Sequence, residues 1–356
     1  MTQKMSNDIF TFFLQQNGLK WYCLNSTQNE IECAWRRRAM STSEERNMLK
    51  VATLYYKEGL TQVQIAKKLG VSRSLISKWL IAARNKGFIE FFINSEDVYS
   101  IDLENKLEKE FGLNSAVVID TSNLSFSEVE KVLGQTAAIS IKNNIEKTDT
   151  IGVSWGKSIK SLVTQFPFEN YPDKVFIPLI GGMGTDHFDI HSNQLCYEFA
   201  RKTRSTSKYL YTPALVSNPL MRKEFENNIY IKGILEEAKN VSLAIVSISS
   251  PYHVNTMEEI GYITKEDILE LEKLGVVGDV NSRFFDREGK EVNHDINNNV
   301  IGVGIEDLKK IPQVVAIAHH EDKWSGVYYA CKNHLITDLI TTDVIAHRML
   351  SDNPDE

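Results

Sequence analysis

The chain has 356 residues, 42% hydrophobic and 24% charged, which is ordinary globular composition and enough length for two or three domains. No apolar run approaches the roughly 20 residues of a membrane span, and the opening residues lack the basic-then-apolar order of a secretory signal. The net charge of −7 is uneven: Glu44 to Glu90 holds nine Lys or Arg against four acidic residues, a local +5 that leaves −12 elsewhere, as befits a nucleic-acid reader attached to a body of other purpose.

Residues 1–39 are rich in Phe, Gln, Asn and Trp and show neither helical nor strand periodicity. They are expected to be a poorly ordered extension. Purine-rich codons for Arg36-Arg37-Arg38 would form a ribosome-binding sequence just ahead of Met40, making Met40 the natural start. Codons of the CGN type there would refute this. The four cysteines, Cys23, Cys33, Cys196 and Cys331, have no metal-like spacing and point to a reducing cytoplasm.

From Glu44 the pattern sharpens into a DNA-binding unit over 40–95. Met48, Val51, Ala52, Leu54, Tyr55 and Tyr56 recur at helical spacing, and Gly59 stops the run. Thr61 caps a short helix, Gln62 to Leu69, Gly70 makes a left-handed turn, and Ser72 caps a third helix that Gly87 ends. Ile65, Leu69, Val71, Ile76 and Trp79 are apolar where two crossed helices share a core, and Ala66 is small where they approach. This is the arrangement of a helix-turn-helix. Its outer face shows Ser72, Arg73, Ser74, Ser77 and Lys78 as donors to bases or phosphates, with Lys67, Lys68, Arg84 and Lys86 placed for phosphates. Phe88 to Ile93 reads as a strand, either a wing or a packing element. The text LYYKEGLTQVQIAKKLGVSRSLISKWLIAARNKGFIEFFI resembles the start of SorC-family regulators and is also similar to the DNA-binding end of sigma factors.

An amphipathic helix over Asp97 to Phe111 is expected to link the domains (96–112). The body, 113–356, then alternates strands with helices. The expected strands are Ala116–Ile119, Thr150–Val153, Lys174–Ile180, Lys208–Tyr211, Leu243–Ser247, Val314–Ile317 and Asp338–Thr342. Helices are expected over Ser127–Asn144, Lys157–Gln165, Ser192–Lys202 and Asp322–Cys331. The fold class is α/β: an N-terminal helix-turn-helix followed by an open, mostly parallel, Rossmann-like sheet. Ligands of such sheets sit beyond the carboxyl ends of strands. Three of those ends carry suggestive text: Ser154-Trp155-Gly156-Lys157-Ser158 entering a helix, Gly181-Gly182-Met183-Gly184 followed by Ser192-Asn193, and His319-His320-Glu321-Asp322-Lys323. A helix start, bare glycine backbone and a lysine together suit a small anion.

The resemblance to the SorC family continues from about Val132 to Leu350, through VLGQTAA, IGVSWGKS, PLIGGMG with HSNQL, YLYTPA, LGVVGDVNSRFFDREG, VIGVGIEDLKKIP and LITTDVIAHRML. It implies a sugar-binding domain akin to sugar-phosphate isomerases and deaminases, with a phosphorylated-sugar effector that alters affinity for operator DNA. It also implies a homo-oligomer, dimer or tetramer. No cofactor, metal or membrane partner is implied. The effector residues it carries over are Gly152, Trp155, Gly156, Lys157 and Ser158, then Gly181, Gly182 and Asn193, then Asp279, Phe285 and Asp286, with Lys323 on the phosphate. Two departures stand out. Ser247-Ile248-Ser249-Ser250 and His319-His320 replace glycines, which changes the pocket's shape and gives it groups that gain charge at low pH.

Three rival readings remain at this stage. One is an isomerase-like enzyme using Asp279, Asp286, Glu321 or the neighbouring histidines. Another is a metal held by His187, Asp189 and His191 on one face of an extended loop, joined by His319-His320. The third is a sigma-like scaffold with no pocket.

Overall fold

The computed structural model describes residues 43–89, 98–182, 187–252 and 255–351. Contacts divide the chain into two units, residues 1–93 and 94–356. The extension 1–39 lies outside the described residues.

Among the described residues, the first unit is three helices. Helix α1 (43–57) is α-helical to residue 52 and π-helical over Thr53–Lys57. The Thr53 hydroxyl donates to the Leu49 carbonyl at 2.9 Å, a back-bond that competes with the helix ladder just where it widens. Helix α2 (Gln62–Leu69) opens with a capping box between Thr61 and Gln64 and closes on Gly70 at φ +68°. In α3 (Arg73–Asn85) the Ser72 hydroxyl accepts from the Leu75 N–H. Val51, Leu54, Ile65, Ala66, Ile76 and Leu80 close one core between the three helices. Phe88 and Ile89 are not strand: the Phe88 N–H returns to the Ala83 carbonyl and completes a helix cap around Gly87. The rest of the expected Phe88–Ile93 strand lies outside the described residues.

The second unit is built on parallel strands in the order β1-β9-β8-β5-β2-β3-β4. These are β1 (Ser115–Ile119), β2 (Thr150–Val153), β3 (Val175–Pro178), β4 (Thr206–Ser207), β5 (Leu243–Ser249), β8 (Gln313–Ile317) and β9 (Asp338–Thr342). An antiparallel hairpin, β6 (Gly278–Val280) and β7 (Arg283–Phe285), adds to the end of β5 through Ile248↔Val280 and Ser249↔Asp279. Alternate residues face two cores. Val118, Ala244, Val246, Ala316 and Leu339 fill one. Ile151, Val153, Ile245, Val315 and Ile317 fill the other. Burial on both faces explains why these strands read as continuous apolar runs.

Helix α4 (Val98–Phe111) buries Leu103, Leu107 and Phe111 in the first of these cores. The Glu104 and Glu108 carboxylates accept from the Val118 and Ala116 N–H groups, both at 2.9 Å, and so satisfy edge strand β1. The helix expected as a linker is therefore part of the body. The expected strand Lys208–Tyr211 is also corrected: pairing with β3 occurs at Thr206–Ser207. The Lys208 N–H still reaches the Phe176 carbonyl, but the Leu210 N–H is taken by the Asn193 side chain, which pulls the chain off the ladder.

Helices α5 (Phe126–Lys147) and α6 (Lys157–Gln165) approach closely at Gly134. A Cβ there would lie 2.3 Å from Ser161 Oγ and 2.7 Å from its carbonyl carbon. Gly134→Ala is accordingly expected to destabilise the body by about 1–3 kcal/mol, although alanine would gain about 1 kcal/mol in helix propensity. Urea unfolding measures the difference, and a stabilised variant would refute the close packing.

Candidate functional site

Because the main sheet is parallel, the carboxyl ends of β2, β3, β5 and β8 open on one edge. The loop after β2 is pinned from below. The Ser154 hydroxyl donates to Asn281 Oδ1 at 2.7 Å, and the Trp155 indole donates to the Ser282 hydroxyl at 2.9 Å. Asn281 and Ser282 form the turn of the β6–β7 hairpin, both in the left-handed region at φ +52° and +60°. The Asn281 amide also donates to the carbonyls of Leu179 and Val303. One buried two-residue turn thus fixes the ends of β2 and β3. The hairpin was missed in the sequence, although Asn-Ser between the short runs Val-Gly-Asp-Val and Arg-Phe-Phe is the signal for it.

Gly156 adopts φ +123° at the start of α6, with Ser247 Oγ 3.1 Å from where a Cβ would stand. That backbone is open to few other residues. Lys157 is ion-paired with Glu259 at 2.7 Å. The Ser158 hydroxyl lies 3.1 Å from His319 Nδ1.

Lys323 ends a 3₁₀ turn, Glu321–Lys323, ahead of α14 (Trp324–Lys332). Among the described residues no hydrogen bond or ion pair engages its ammonium. The charges that act on it are Asp279, Lys157 and Glu130, and burial pulls its pKa below the usual lysine value. Asp279 is buried, and its Oδ1 has no hydrogen-bond partner among the described residues. Burial lifts its carboxyl to about 7 against the pull of Lys323 and the Ser282 N–H. A buried carboxyl and an ammonium without a bound anion therefore lie close enough to act on each other's charge. The Phe126 ring, largely exposed, stands 6.2 and 6.0 Å from the rings of His319 and His320.

Several carried-over residues have other work. Gly152 lies in β2, where a Cβ would strike Leu179 at 2.5 Å, and Gly181 lies 2.5 Å by the same measure from the Pro213 carbonyl oxygen. Both permit close packing. Gly182 accepts from the Ala214 N–H. Asn193 spends both ends of its amide on the Leu210 backbone. Phe285 is wholly buried in the core, and Asp286 accepts from the N–H groups of Glu288 and Lys290 in a turn. Phe285 therefore supports the hairpin from inside the core, while Asp286 commits one carboxylate oxygen to its own turn and keeps the other. Met183 and Gly184 lie outside the described residues.

His319 is held neutral. Burial, with Lys323 and His320 nearby, pushes its pKa down to about 4, so it adds no charge near pH 7. Its folded pKa lies below the unfolded 6.5, so the stability it confers is full above pH 6.5 and is lost as pH falls towards 4. The loss is about 2 kcal/mol after discounting for partial exposure. His319→Gln should remove that part of the acid sensitivity in urea unfolding at pH 7 and 4.5. Parallel losses in both proteins would refute it. Asp279 acts in the opposite direction in both and cancels in the comparison.

The metal reading fails on geometry. Phe188–Ile190 is a 3₁₀ turn, so His187, Asp189 and His191 do not share an extended face, and Asp189 is paired with Lys160. No cluster of three ligating side chains occurs among the described residues.

In the first unit, Arg73, Ser74 and Lys78 are exposed on α3 and Ser77 is half-buried. Lys67, Lys68 and Arg84 are exposed as well, Lys68 lying 3.8 Å from Glu58. Ser72 is committed as a cap and bonded to Ser74. Lys86, expected on phosphate, is paired with Glu45 at 2.7 Å.

The Sugar-bind family model, a sugar-binding domain, matches residues 96–351. The sorbitol operon regulator of Klebsiella pneumoniae is 31% identical over 87% of this chain and all of its own length. The chain belongs to the SorC family of sugar-responsive transcriptional regulators. The full-length SorC structure from K. pneumoniae superposes with a TM-score of 0.72 at 30% identity, covering 86% of this chain and 98% of that one. A DeoR family regulator from Listeria monocytogenes is 46% identical, with a TM-score of 0.67, over 70% of this chain and 99% of that one. The deoxyribonucleoside regulator of Bacillus subtilis is 25% identical over 88% of this chain and all of its own length. A SorC-family chain works on DNA and responds to a sugar, so it is a regulator and not an enzyme. No helix among the described residues is long and apolar enough to cross a membrane.

Proposed function

We propose that this regulator senses a phosphorylated sugar at the carboxyl edge of its sheet. The observation that carries the reading is Lys323, an ammonium with no anion bound to it among the described residues, next to the buried Oδ1 of Asp279, which lacks a hydrogen donor. A phosphate would satisfy the first group, together with Lys157, Ser158 and the backbone at Gly156. A sugar hydroxyl would satisfy the second. In the first unit, α3 enters the major groove with Arg73, Ser74, Ser77 and Lys78 towards the bases, and Lys67, Lys68 and Arg84 towards phosphates. The working form is a symmetric homo-oligomer, since paired reading helices match paired half-sites. Leu220, Ile229 and Tyr230, all strongly exposed on α8 (Pro219–Asn227) and α9 (Ile229–Lys239), are candidates for the surface a second copy covers.

A thermal-shift screen against sugars and their phosphates tests the reading. A ligand at about 100 times its Kd adds roughly 2.7 kcal/mol of stability. Hits confined to phosphorylated sugars support it. Hits confined to neutral sugars overturn the phosphate assignment.

A further inference from the structure

Lys157 occupies the first position of α6, where the helix start favours an anion, and an anion is already there: Glu259 Oε2 lies 2.7 Å from its ammonium. Glu259 is carried by a short helix, α10 (Thr256–Glu259), that is firmly seated. Met257 and Ile263 are buried in an apolar cluster with Trp155, Ile180 and Phe284, the Asn255 side chain caps the helix by accepting from the Met257 N–H at 2.8 Å, and Tyr262 reaches the Gly182 carbonyl at 3.5 Å. The segment 255–263 therefore spans the loops that follow β2 and β3 and presents one carboxylate to one of them. The ionisable groups bearing on Lys323 are Asp279, Lys157 and Glu130. Among the described residues, Glu259 is the carboxylate that pairs with Lys157.

We propose that Glu259 is a built-in competitor for the effector's anion, which a ligand must displace from Lys157, so that only a ligand whose own contacts outweigh that pair occupies the site. The inference rests on the reading of these loops as the phosphate site. The physical reason is an exchange balance. A ligand carboxylate replacing the Glu259 carboxylate trades one monoanion for another at the same ammonium and gains little. A neutral hydroxyl loses the charge interaction outright. A dianion can engage Lys157 and Lys323 together, and only then does exchange favour the ligand. The pair is half exposed at both ends, so its rupture is cheap enough to be reversible.

The test uses full-length wild type, Glu259→Gln, Lys157→Gln and the double variant, with inorganic phosphate and acetate as probes, read by calorimetric or thermal-shift titration in slightly alkaline buffer. Glu259→Gln is expected to tighten phosphate by about two- to fivefold, the range set by an exposed ion pair, and to tighten acetate by a similar factor, because either anion must displace the same carboxylate. In the Lys157→Gln background the same change should have no effect, a result that a merely structural role for Glu259 would not give. Equal melting temperatures of wild type and Glu259→Gln confirm that the variant folds. If phosphate binds wild type and Glu259→Gln leaves its Kd unchanged or weakens it, the competitor role is overturned and the phosphate site stands. If neither protein binds phosphate or any phosphorylated sugar, the phosphate reading itself falls, and this inference with it.

Discussion

Arg73→Ala is expected to weaken operator binding about 5- to 150-fold, the equivalent of about 1–3 kcal/mol, without altering effector affinity. Arg73 is the first residue of α3 and exposed, beside the turn made by Gly70 and Ser72. Its guanidinium can reach the paired acceptors on a guanine edge, which carry sequence information that phosphate contacts do not. It makes no contact in the three-helix core, so the melting temperature should not move. Binding to the upstream DNA of the regulator's own operon, compared with scrambled DNA at two salt concentrations, separates the possibilities. Loss confined to the specific site, with an unchanged salt slope, fits base reading. A uniform loss with a slope reduced by about one would make Arg73 a phosphate contact instead.

Lys323→Met should cost the effector about 10- to 150-fold in affinity, since a hydrogen bond to a charged group contributes about 1.5–3 kcal/mol and no anion among the described residues is bound to this ammonium. The loss should be confined to phosphorylated ligands. DNA binding without effector should be retained, because the residue belongs to the second unit. Lys323 also moderates Asp279, whose carboxyl already titrates near 7. Without the lysine that carboxyl shifts further upward and stays protonated at neutral pH, so whatever pH dependence effector binding shows between 6 and 8 should flatten. Unchanged affinity in calorimetry would remove Lys323 from the site. Loss of both activities in this variant and in Arg73→Ala would overturn the division of labour between the two units.

The helix-turn-helix was legible because its signals are local. Thr61 with Gln64, Gly70, and Ser72 with the Leu75 N–H act over two to four residues, and those bonds form wherever the sequence places them. The central strands were legible because burial on both faces demands long β-branched runs, and α6 was legible to the residue. What the sequence could not decide were matters of distant partners. The ladder ends after Lys208 because Asn193 takes the Leu210 N–H. Phe285 and Asp286 stand inside a family motif but face the core and their own turn. Lys157, placed for a ligand by local logic, is claimed by Glu259, 102 residues away. The buried turn at Asn281 and Ser282 joins strand ends that no periodicity connects. Local hydrogen bonds and alternating burial thus specify the elements and the class of fold. Which polar groups remain to meet a ligand depends on the desolvation and pairing imposed by residues far along the chain, and only the tertiary structure brings those together.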